Sequence, residues 1–290
     1  MKEGIILTKV PAVTLNNDIL IPQLGLGVFK MQDKKQFMAA FNWALEIGYR
    51  HFDTAAIYGN EKWLGEAINN AEIDRQDLFL TSKLWPSDFD DPQQAYQDSC
   101  KRLGVDYLDL YLIHWPAPGY AKAWITMEEM YHDEQIRAIG VSNFLPSHLQ
   151  DILTRGSVTP AVDQIELHPY YQRPELTNYL AEQNIAVEAW GPLGQGSNDL
   201  STEPVLQKIA AAHHKSIAQV VLRWHIQSGR IIFPKSVHQN RLQENFDIFD
   251  FELTAEQMQQ IKQLDKNQPN GHDPSDQAYL NETKTIYPKN

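Results

Sequence analysis

The sequence has only one cysteine, Cys100, among its 290 residues. A single cysteine cannot form an intramolecular disulfide, and it cannot build a zinc site of several cysteines. Cys100 falls on the apolar face of a predicted helix, so we interpret it as a small buried residue. Metal-ligand spacings such as HExxH are also missing, and the adjacent His213 and His214 point to different faces of a helix. The sequence therefore predicts no protein-bound metal.

Long apolar runs and an excess of basic residues are missing as well. No run reaches the roughly 18 apolar residues that a membrane-spanning helix needs, and the N-terminal apolar segment is too short for a secretory signal. The 25 basic and 37 acidic residues give a net charge of −12 without blocks of either sign, a balance that repels nucleic acid and anionic lipid. We therefore expect a cytoplasmic protein with no nucleic-acid or membrane partner, and no motif indicates an obligate protein partner.

Eight short apolar runs alternate with longer amphipathic segments. The runs do not alternate strictly between apolar and polar residues, which is typical of strands buried on both faces of a parallel sheet. They begin near residues 24, 51, 78, 108, 136, 161, 186 and 231. Eight strands that alternate with helices predict a (β/α)8 TIM barrel, and we expect it to form a single domain over residues 1–290.

The alternative fold is a doubly wound parallel sheet, which needs a phosphate-binding loop after its first strand. Residues 25–30, GLGVFK, begin like the dinucleotide fingerprint G-x-G-x-x-G, but Lys30 stands where the third glycine belongs. The next helix is predicted to begin only after Asp33, which suits an N-cap, and to end at Gly48. We therefore favour a barrel strand whose backbone is approached closely at its glycines.

The barrel is predicted to carry additions at both ends. Residues 5–22 contain two strand-like runs around an Asn-Asn-Asp turn, which predicts an N-terminal β-hairpin. Residues 265–290 are polar and rich in Pro, Asn and Asp. We interpret them as a C-terminal loop that forms a tail over the active-site mouth.

Polar residues stand where the predicted strands end. Asp53 ends the second strand, Lys83 the third and His114 the fourth, and Tyr58 follows on the second loop. The C-terminal ends of the strands of such a barrel meet at one mouth, where the active sites of these folds lie. We therefore expect the four side chains to converge.

These four side chains complement one another chemically. Tyrosine, with a pKa of about 10, is a weak proton donor at neutral pH, and a lysine ammonium beside it favours the phenolate and so strengthens the donor. Asp53 would balance the charge of Lys83, and His114 would donate a hydrogen bond to a substrate oxygen. Each residue has a structural alternative: an ion pair that only stabilises the barrel, a core histidine, or a loop tyrosine without a role. Their joint placement favours a site that gives a proton to a carbonyl oxygen.

Six segments together resemble the aldo-keto reductases, which are NAD(P)H-dependent carbonyl reductases on a (β/α)8 barrel. They occur in family order: GYRHFDTAAIYGNE from residue 48, RLGVDYLDLYLIHWP from 102, RAIGVSNF from 137, QIELHPYYQ from 164, AWGPLGQG from 189 and IIFPKSVHQNRLQEN from 231. The tail NGHDPSDQAY resembles most the branch of bacterial 2,5-diketo-D-gluconate reductases and glyoxal or methylglyoxal reductases.

The resemblance implies a catalytic tetrad of Asp53, Tyr58, Lys83 and His114, with Tyr58 as the general acid. It implies NADPH/NADP+ as the cofactor, which sixteen residues would contact. They are Gly27, Ser142, Asn143, Gln164, Trp190, Gly191, Pro192, Leu193, Gln195, Gly196, Lys235, Ser236, Val237, Arg241, Glu244 and Asn245.

These implied cofactor contacts fall into groups. Ser142, Asn143 and Gln164 would bond the nicotinamide carboxamide, and Trp190 would stack on the nicotinamide ring. The glycines of residues 191–196 would let backbone amides approach the pyrophosphate. Lys235, Ser236 and Arg241 would bind the adenosine 2′-phosphate, which favours NADPH over NADH, and Glu244 and Asn245 would contact adenine.

Phe29, Trp85, His114 and Trp115 are expected to line an aromatic and relatively open pocket for a small carbonyl substrate, such as methylglyoxal or a 2,5-diketo-D-gluconate type compound. Three alternatives remain beside this enzyme. They are a cofactor-sensing regulatory subunit without significant turnover, a lens-type structural protein on the same fold, and an unrelated barrel lyase. The sequence shows no extra partner-binding domain that a regulatory subunit would need, and the intact tetrad disfavours a lens-type protein. The missing metal ligands and the 2′-phosphate group disfavour the lyase.

Overall fold

The computed structural model describes residues 10–196 and 200–288. Two short strands, β1 (Ala12–Thr14) and β2 (Leu20–Pro22), precede eight strands of one sheet. The eight are β3 (Leu26–Gly27), β4 (His51–Asp53), β5 (Phe79–Leu84), β6 (Leu110–Ile113), β7 (Ile139–Ser142), β8 (Val162–Glu166), β9 (Ala186–Trp190) and β10 (Ile231–Ile232).

Each of these eight strands pairs in parallel with its neighbour along the chain, from β3 to β10. The two outer strands meet, because Ile232 N donates to Gln23 O at 2.9 Å and Gly25 N donates to Ile232 O at 2.8 Å. This closure confirms the predicted (β/α)8 barrel. A doubly wound sheet would instead place the first strand inside the sheet and leave two open edges.

Helices follow the strands on the outside of the sheet. They are α1 (Lys34–Ile47), α2 (Glu61–Asn69), α3 (Pro92–Leu103), α4 (Tyr120–His132), α5 (Pro146–Arg155), α6 (Pro174–Glu182), α7 (Pro204–His213), α8 (Ile217–Gln227), α9 (Gln239–Phe246), α10 (Ala255–Lys262) and α11 (Gln277–Thr283). The predicted ends of α1 are confirmed, because the Asp33 side chain accepts from Gln36 N at 2.7 Å and Gly48 ends the helix at φ 120°. No helix of the described ranges is long and apolar enough to cross a bilayer.

The N-terminal hairpin is confirmed for the residues that the structure describes, and residues 5–9 of the predicted range lie outside them. Strands β1 and β2 pair antiparallel, with Val13 opposite Ile21. In the turn, the Asn16 amide donates to Pro160 O at 3.0 Å and the Asn17 amide donates to Arg137 O at 3.0 Å. Both carbonyls precede barrel strands, so the hairpin covers the end of the barrel opposite the mouth.

The C-terminal tail differs from the predicted loop, because it contains α11. The Asp276 side chain caps this helix by accepting from Ala278 N at 2.9 Å. One face of the helix buries Leu280 and Thr283 completely. The overall polarity of the segment hid this short amphipathic pattern.

Helices α2 and α3 approach each other closely at Gly65. A Cβ atom at this position would lie 2.5 Å from Leu103 O, a backbone atom that cannot move aside alone. Propensity alone predicts that Gly65→Ala stabilises a helix by about 1 kcal/mol. We expect the opposite sign, a loss of about 1–3 kcal/mol in the free energy of unfolding, because the added methyl group overpacks the contact.

Urea unfolding measures the effect of Gly65→Ala. Asn69→Ala is a matched control, because it raises helix propensity at an exposed position of the same helix. A Gly65→Ala variant that is at least as stable as the wild type would contradict the close approach of the two helices.

Candidate active site

The four polar residues predicted to converge lie at the C-terminal ends of neighbouring strands. Asp53 is the last residue of β4, Lys83 is the second-last residue of β5, and His114 directly follows β6. Tyr58 lies on a short 3-10 helix after β4, which Gly59 ends at φ 68°. Gly59 suits this position because the left-handed region favours glycine.

Lys83 and Asp53 form a fully buried ion pair. Lys83 Nζ donates to Oδ1 and Oδ2 of Asp53, each at 2.8 Å, and to Thr54 O at 2.8 Å. Its next polar neighbour is the hydroxyl of Tyr58 at 3.4 Å. The pairing predicted from the sequence is therefore present, and the ammonium stands between a carboxylate and a phenol.

The protonation states of this group follow from burial and from the ion pair. Burial opposes the ammonium of Lys83, but Asp53, together with Tyr58 and Glu188, outweighs this effect, so the pKa of Lys83 is raised. Burial raises the pKa of Tyr58, and the opposing field of Lys83 does not cancel that rise. As expected, Lys83 favours the phenolate and lowers the pKa of Tyr58, but burial has the larger effect and the net pKa is raised. Tyr58 is a neutral phenol at neutral pH.

His114 is a neutral imidazole. Burial lowers its pKa well below the usual range, and the positive charge of Lys83 lowers it further. Its ring lies 5.7 Å from the Tyr58 ring and 5.0 Å from the Trp85 ring. Its Nδ1 is buried and makes no hydrogen bond to the described residues. His114 therefore places a neutral imidazole, which can donate a hydrogen bond, beside the phenol of Tyr58.

Glu188 extends this group, and the sequence analysis did not find it. The amide of Gln164 donates to Asp53 Oδ2 at 2.9 Å and to Glu188 Oε2 at 2.8 Å. Glu188 is fully buried, and burial, followed by the charge of Asp53, raises its pKa to about 8. Its signal in the sequence is an acid within the apolar run AVEAW. Gln164, expected to bond a nicotinamide, here links two carboxyl groups.

The residues expected around the nicotinamide lie on β7, β8 and β9 and touch one another. Ser142 Oγ donates to Gln164 O at 2.8 Å, and the Asn143 amide donates to Ser142 Oγ at 3.1 Å. Trp190 Nε1 donates to Asn143 Oδ1 at 2.8 Å. The structure thus joins four predicted residues into one polar ledge beside the ion pair.

The loop after β9 has the backbone that its glycines predict. Gly191 and Gly194 have φ 60° and 71°, and Gln195 has φ 50°. Pro192 O contacts His225 Nε2 at 3.4 Å, and Leu193 packs against the core. Gly196 ends the described part of the loop. Gly27, by contrast, has a structural reason of its own, because a Cβ atom there would lie 2.6 Å from Phe233 O.

A group of cations follows β10. Lys235 is exposed, and its pKa is lowered by partial desolvation, followed by the charges of Arg241 and of Lys30. Neither Lys235 nor Arg241 takes part in a salt bridge of the described residues. Lys30, which the sequence analysis did not include, is thus the third positive charge of this group, beside Lys235 and Arg241.

The remaining predicted cofactor residues surround these cations. Ser236 and Asn245 are buried, Val237 is half-buried, and Glu244 and Arg241 lie on α9. Ser236 Oγ accepts from His238 N at 3.1 Å, which fixes the start of α9. A chain with a net charge of −12 thus gathers cations, a hydroxyl and a helix start at one place, which is the chemistry that binds a phosphate.

The predicted aromatic walls are present, and the tail packs on them. Phe29 is exposed and lies 4.8 Å from the Tyr58 ring. Trp85 Nε1 donates to Ile286 O at 2.7 Å, and the Trp115 ring lies 5.0 Å from the Tyr279 ring. The sequence did not indicate Tyr279 or Ile286, because contacts between a tail and a barrel mouth have no local pattern.

The tail also binds beside the polar ledge, at the ends of β8 and β9. Asn270 N donates to Glu166 Oε1 at 2.7 Å, and Gly271 N donates to Glu166 Oε2 at 3.0 Å. The Asn270 amide donates to Gly194 O at 3.0 Å. A Cβ atom at Gly271 would collide with the Trp190 ring. One segment therefore contacts both the predicted substrate wall and the predicted cofactor wall.

No group of His, Cys, Asp and Glu in residues 10–196 and 200–288 has the arrangement of a metal site. The donor set of the mouth is instead a phenol, an imidazole, an ammonium and carboxyl groups around an ion pair. Such a set can hold a carbonyl oxygen and give it a proton.

The chain is similar to known reductases over nearly its whole length. The model of the aldo/keto reductase family matches residues 23–266. The chain is 44% identical to 9,11-endoperoxide prostaglandin H2 reductase of Trypanosoma cruzi, over 90% of this chain and 94% of that protein. It is 43% identical to methylglyoxal reductase DkgA of Escherichia coli O157:H7, over 90% and 96%. The structure of a Bombyx mori aldo-keto reductase in complex with NADP has a TM-score of 0.83 and 35% identity, over 90% of this chain and 94% of that chain.

The buried carboxyl group of Glu188 predicts a pH dependence of stability. Its pKa is about 8 in the folded protein and about 4.3 in an unfolded chain. A raised pKa contributes stability below the unfolded value, and this contribution is lost as the pH rises through the folded value. Glu188→Gln stays neutral at every pH. We therefore expect it to gain stability relative to the wild type as the pH rises, by up to about 1.4 kcal/mol per pH unit.

Urea unfolding between about pH 5.5 and about pH 8.5 tests this difference. Glu175→Gln is the control, because it removes an exposed carboxylate and should leave the pH trend of the wild type unchanged. Parallel stability curves for Glu188→Gln and the wild type would show that Glu188 is ionised in the folded protein.

Proposed function

The chain belongs to the aldo/keto reductase family and is an oxidoreductase, and we propose that it reduces small aldehydes and ketones to alcohols with NADPH and with a proton from Tyr58. The observation that carries this proposal is the placement of the Lys83 ammonium between the Asp53 carboxylate and the Tyr58 hydroxyl at the mouth of the barrel. The catalytic roles of Tyr58, Asp53, Lys83 and His114 are part of the proposal.

Proton delivery follows from the charges of these groups. A bound nicotinamide supplies a hydride to the carbonyl carbon, and the carbonyl oxygen then carries the negative charge. His114 is neutral and can donate to that oxygen, and Tyr58 gives it a proton. The resulting phenolate is stabilised by Lys83, which lies 3.4 Å away and is itself held by Asp53.

The described residues fit the proposed cofactor. Ser142, Asn143 and Trp190 form a ledge of hydrogen-bonding groups and an indole beside the ion pair, as a carboxamide and a flat ring require. No described carboxylate forms a salt bridge with Lys235 or Arg241, so a phosphate would supply the missing negative charge. NADPH has a 2′-phosphate and NADH has none, which is the reason to propose NADPH.

The proposed substrates are small carbonyl compounds such as methylglyoxal, with 2,5-diketo-D-gluconate type compounds as the larger end of the class. Phe29, Trp85 and Trp115 would form the walls. DkgA of Escherichia coli is named a methylglyoxal reductase, and 43% identity to it supports this choice. The cytoplasmic location, the single domain and the lack of an obligate partner remain predictions from the sequence.

Tyr58→Phe removes only the hydroxyl that would give the proton. We expect kcat with methylglyoxal to fall by a factor of about 100 or more, because general acid catalysis contributes at least that much. The affinity for NADPH should stay unchanged, because the phenyl ring remains. Loss of NADPH absorbance measures turnover, and quenching of tryptophan fluorescence measures cofactor binding.

Tyr131→Phe is the matched control for Tyr58→Phe, because it removes a hydroxyl on α4 near the hairpin, at the opposite end of the barrel. Retained activity in Tyr58→Phe would remove Tyr58 from its proposed role. A wild-type chain that binds NADPH but turns over no aldehyde or ketone would favour the regulatory alternative.

Arg241→Ala tests the cofactor preference. We expect the dissociation constant for NADPH to rise by a factor of roughly 10 to 100, since a charge-assisted hydrogen bond contributes about 1.5–3 kcal/mol. The dissociation constant for NADH should change little. Lys208→Ala on α7 controls for the loss of a positive charge elsewhere. An equal loss for both cofactors would contradict a 2′-phosphate site at Arg241.

A further inference from the structure

Two cavities adjoin on the outside of the barrel, beside α6. One, of about 480 Å³, lies between the N-terminal hairpin and α6, and the other, of about 390 Å³, lies between α6 and α10. Both volumes are in the range of small-molecule sites. The cavities share the residues Thr177, Asn178, Ser228 and Arg230. We call the two cavities together the α6 cleft.

Arg230 stands at the junction of the α6 cleft. Its backbone is fixed, because Arg230 N donates to His225 O at 3.1 Å and Arg230 O accepts from the Gln23 amide at 3.1 Å. Its guanidinium lies 4.4 Å from the Trp224 ring. The fixed backbone and the indole give the guanidinium a preferred orientation, which lowers the entropic cost of binding a ligand.

The guanidinium of Arg230 has no anionic partner in the described residues. Among the described residues, none that lines the α6 cleft is a carboxylate, and Nη1 of Arg230 is buried without a hydrogen bond. Burial alone lowers the pKa of Arg230 to about 10, whereas a nearby carboxylate would raise it. A buried donor without a partner is unfavourable, and a ligand oxygen that accepts a hydrogen bond from the guanidinium would remove part of this penalty.

The walls of the α6 cleft carry positive charge only. The residues that line the two cavities include Arg230 and Lys262 but no aspartate or glutamate. The chain as a whole has 37 acidic residues and a net charge of −12. A cleft lined by cations and by no acidic residue is therefore unusual on the surface of this chain. Asn178 and Ser228 add neutral hydrogen-bonding groups to it. Ala181, Ile185 and Val187 supply apolar surface in the larger cavity.

We propose that the α6 cleft is a binding site for a small organic anion, whose carboxylate or phosphate group is bound by Arg230. The planar guanidinium suits two parallel hydrogen bonds to such an oxyanion. Lys262 adds attraction from the α10 side, and the apolar wall contacts the body of the ligand. Arg230 directly precedes β10, whereas the proposed catalytic groups lie at or after the C-terminal ends of their strands. The proposal therefore does not depend on the proposed catalytic function.

NMR titration of the full-length protein tests the site. The probes are benzoate, a carboxylate with an apolar body, and inorganic phosphate. The indole N–H signal of Trp224, assigned by its absence in Trp224→Phe, reports on the Arg230 side chain. We expect a saturable shift of this signal in the millimolar range. A response to benzoate alone identifies a carboxylate site, a response to phosphate alone identifies a phosphate site, and both support the proposal.

Three variants decide whether Arg230 binds the anion. Arg230→Gln should weaken binding at least about tenfold, and Arg230→Lys should bind with intermediate affinity, because it keeps the charge without the planar fork. Arg155→Gln, which removes an exposed arginine of α5, should bind like the wild type. The proposal is wrong if neither probe gives a saturable shift. It is also wrong if Arg230→Gln binds the probe as tightly as the wild type and Arg155→Gln do. If Arg230→Gln does not fold, the same result for Arg230→Lys contradicts the proposal.

Discussion

The buried ion pair of Lys83 and Asp53 is the interaction on which the barrel mouth depends. A buried ammonium without a partner is costly, and Asp53 provides both carboxylate oxygens. The pair forms because β4 and β5 are neighbours: Asp53 lies opposite Thr81, and Lys83 is on the same face two residues on. The third bond of Lys83, to Thr54 O, fixes the start of the loop that presents Tyr58. The position of the phenol thus follows from the register of two strands.

Burial keeps the other groups of the mouth neutral, and the ion pair adds to its effect at two of them. Burial and then the charge of Asp53 disfavour ionisation of Glu188, and burial and then the charge of Lys83 disfavour protonation of His114. The phenol of Tyr58 keeps its proton because burial outweighs the field of Lys83. In the proposed mechanism, Lys83 would therefore stabilise the phenolate after proton transfer and would not produce it beforehand. A neutral donor whose anion is stabilised is what protonation of a carbonyl oxygen requires.

The sequence predicted the features that have a local cause. Strand positions followed from apolar runs, the ends of α1 from Asp33 and Gly48, and convergence of the tetrad from the rule that strand ends meet at one mouth. Features that depend on distant packing could not be predicted. The link from Asp53 through Gln164 to Glu188 joins β4 to β9 across the barrel. The net pKa of Tyr58 likewise depends on how deeply the folded chain buries it.

Substrate choice is the property that depends most on such distant contacts. The proposed proton-delivering groups come from strand ends, which the sheet holds rigidly, whereas the proposed substrate walls are packed against the tail. Trp85 is bonded to Ile286, and Trp190 is covered by Gly271. A change in the tail can therefore reshape the pocket without moving Lys83 or Asp53.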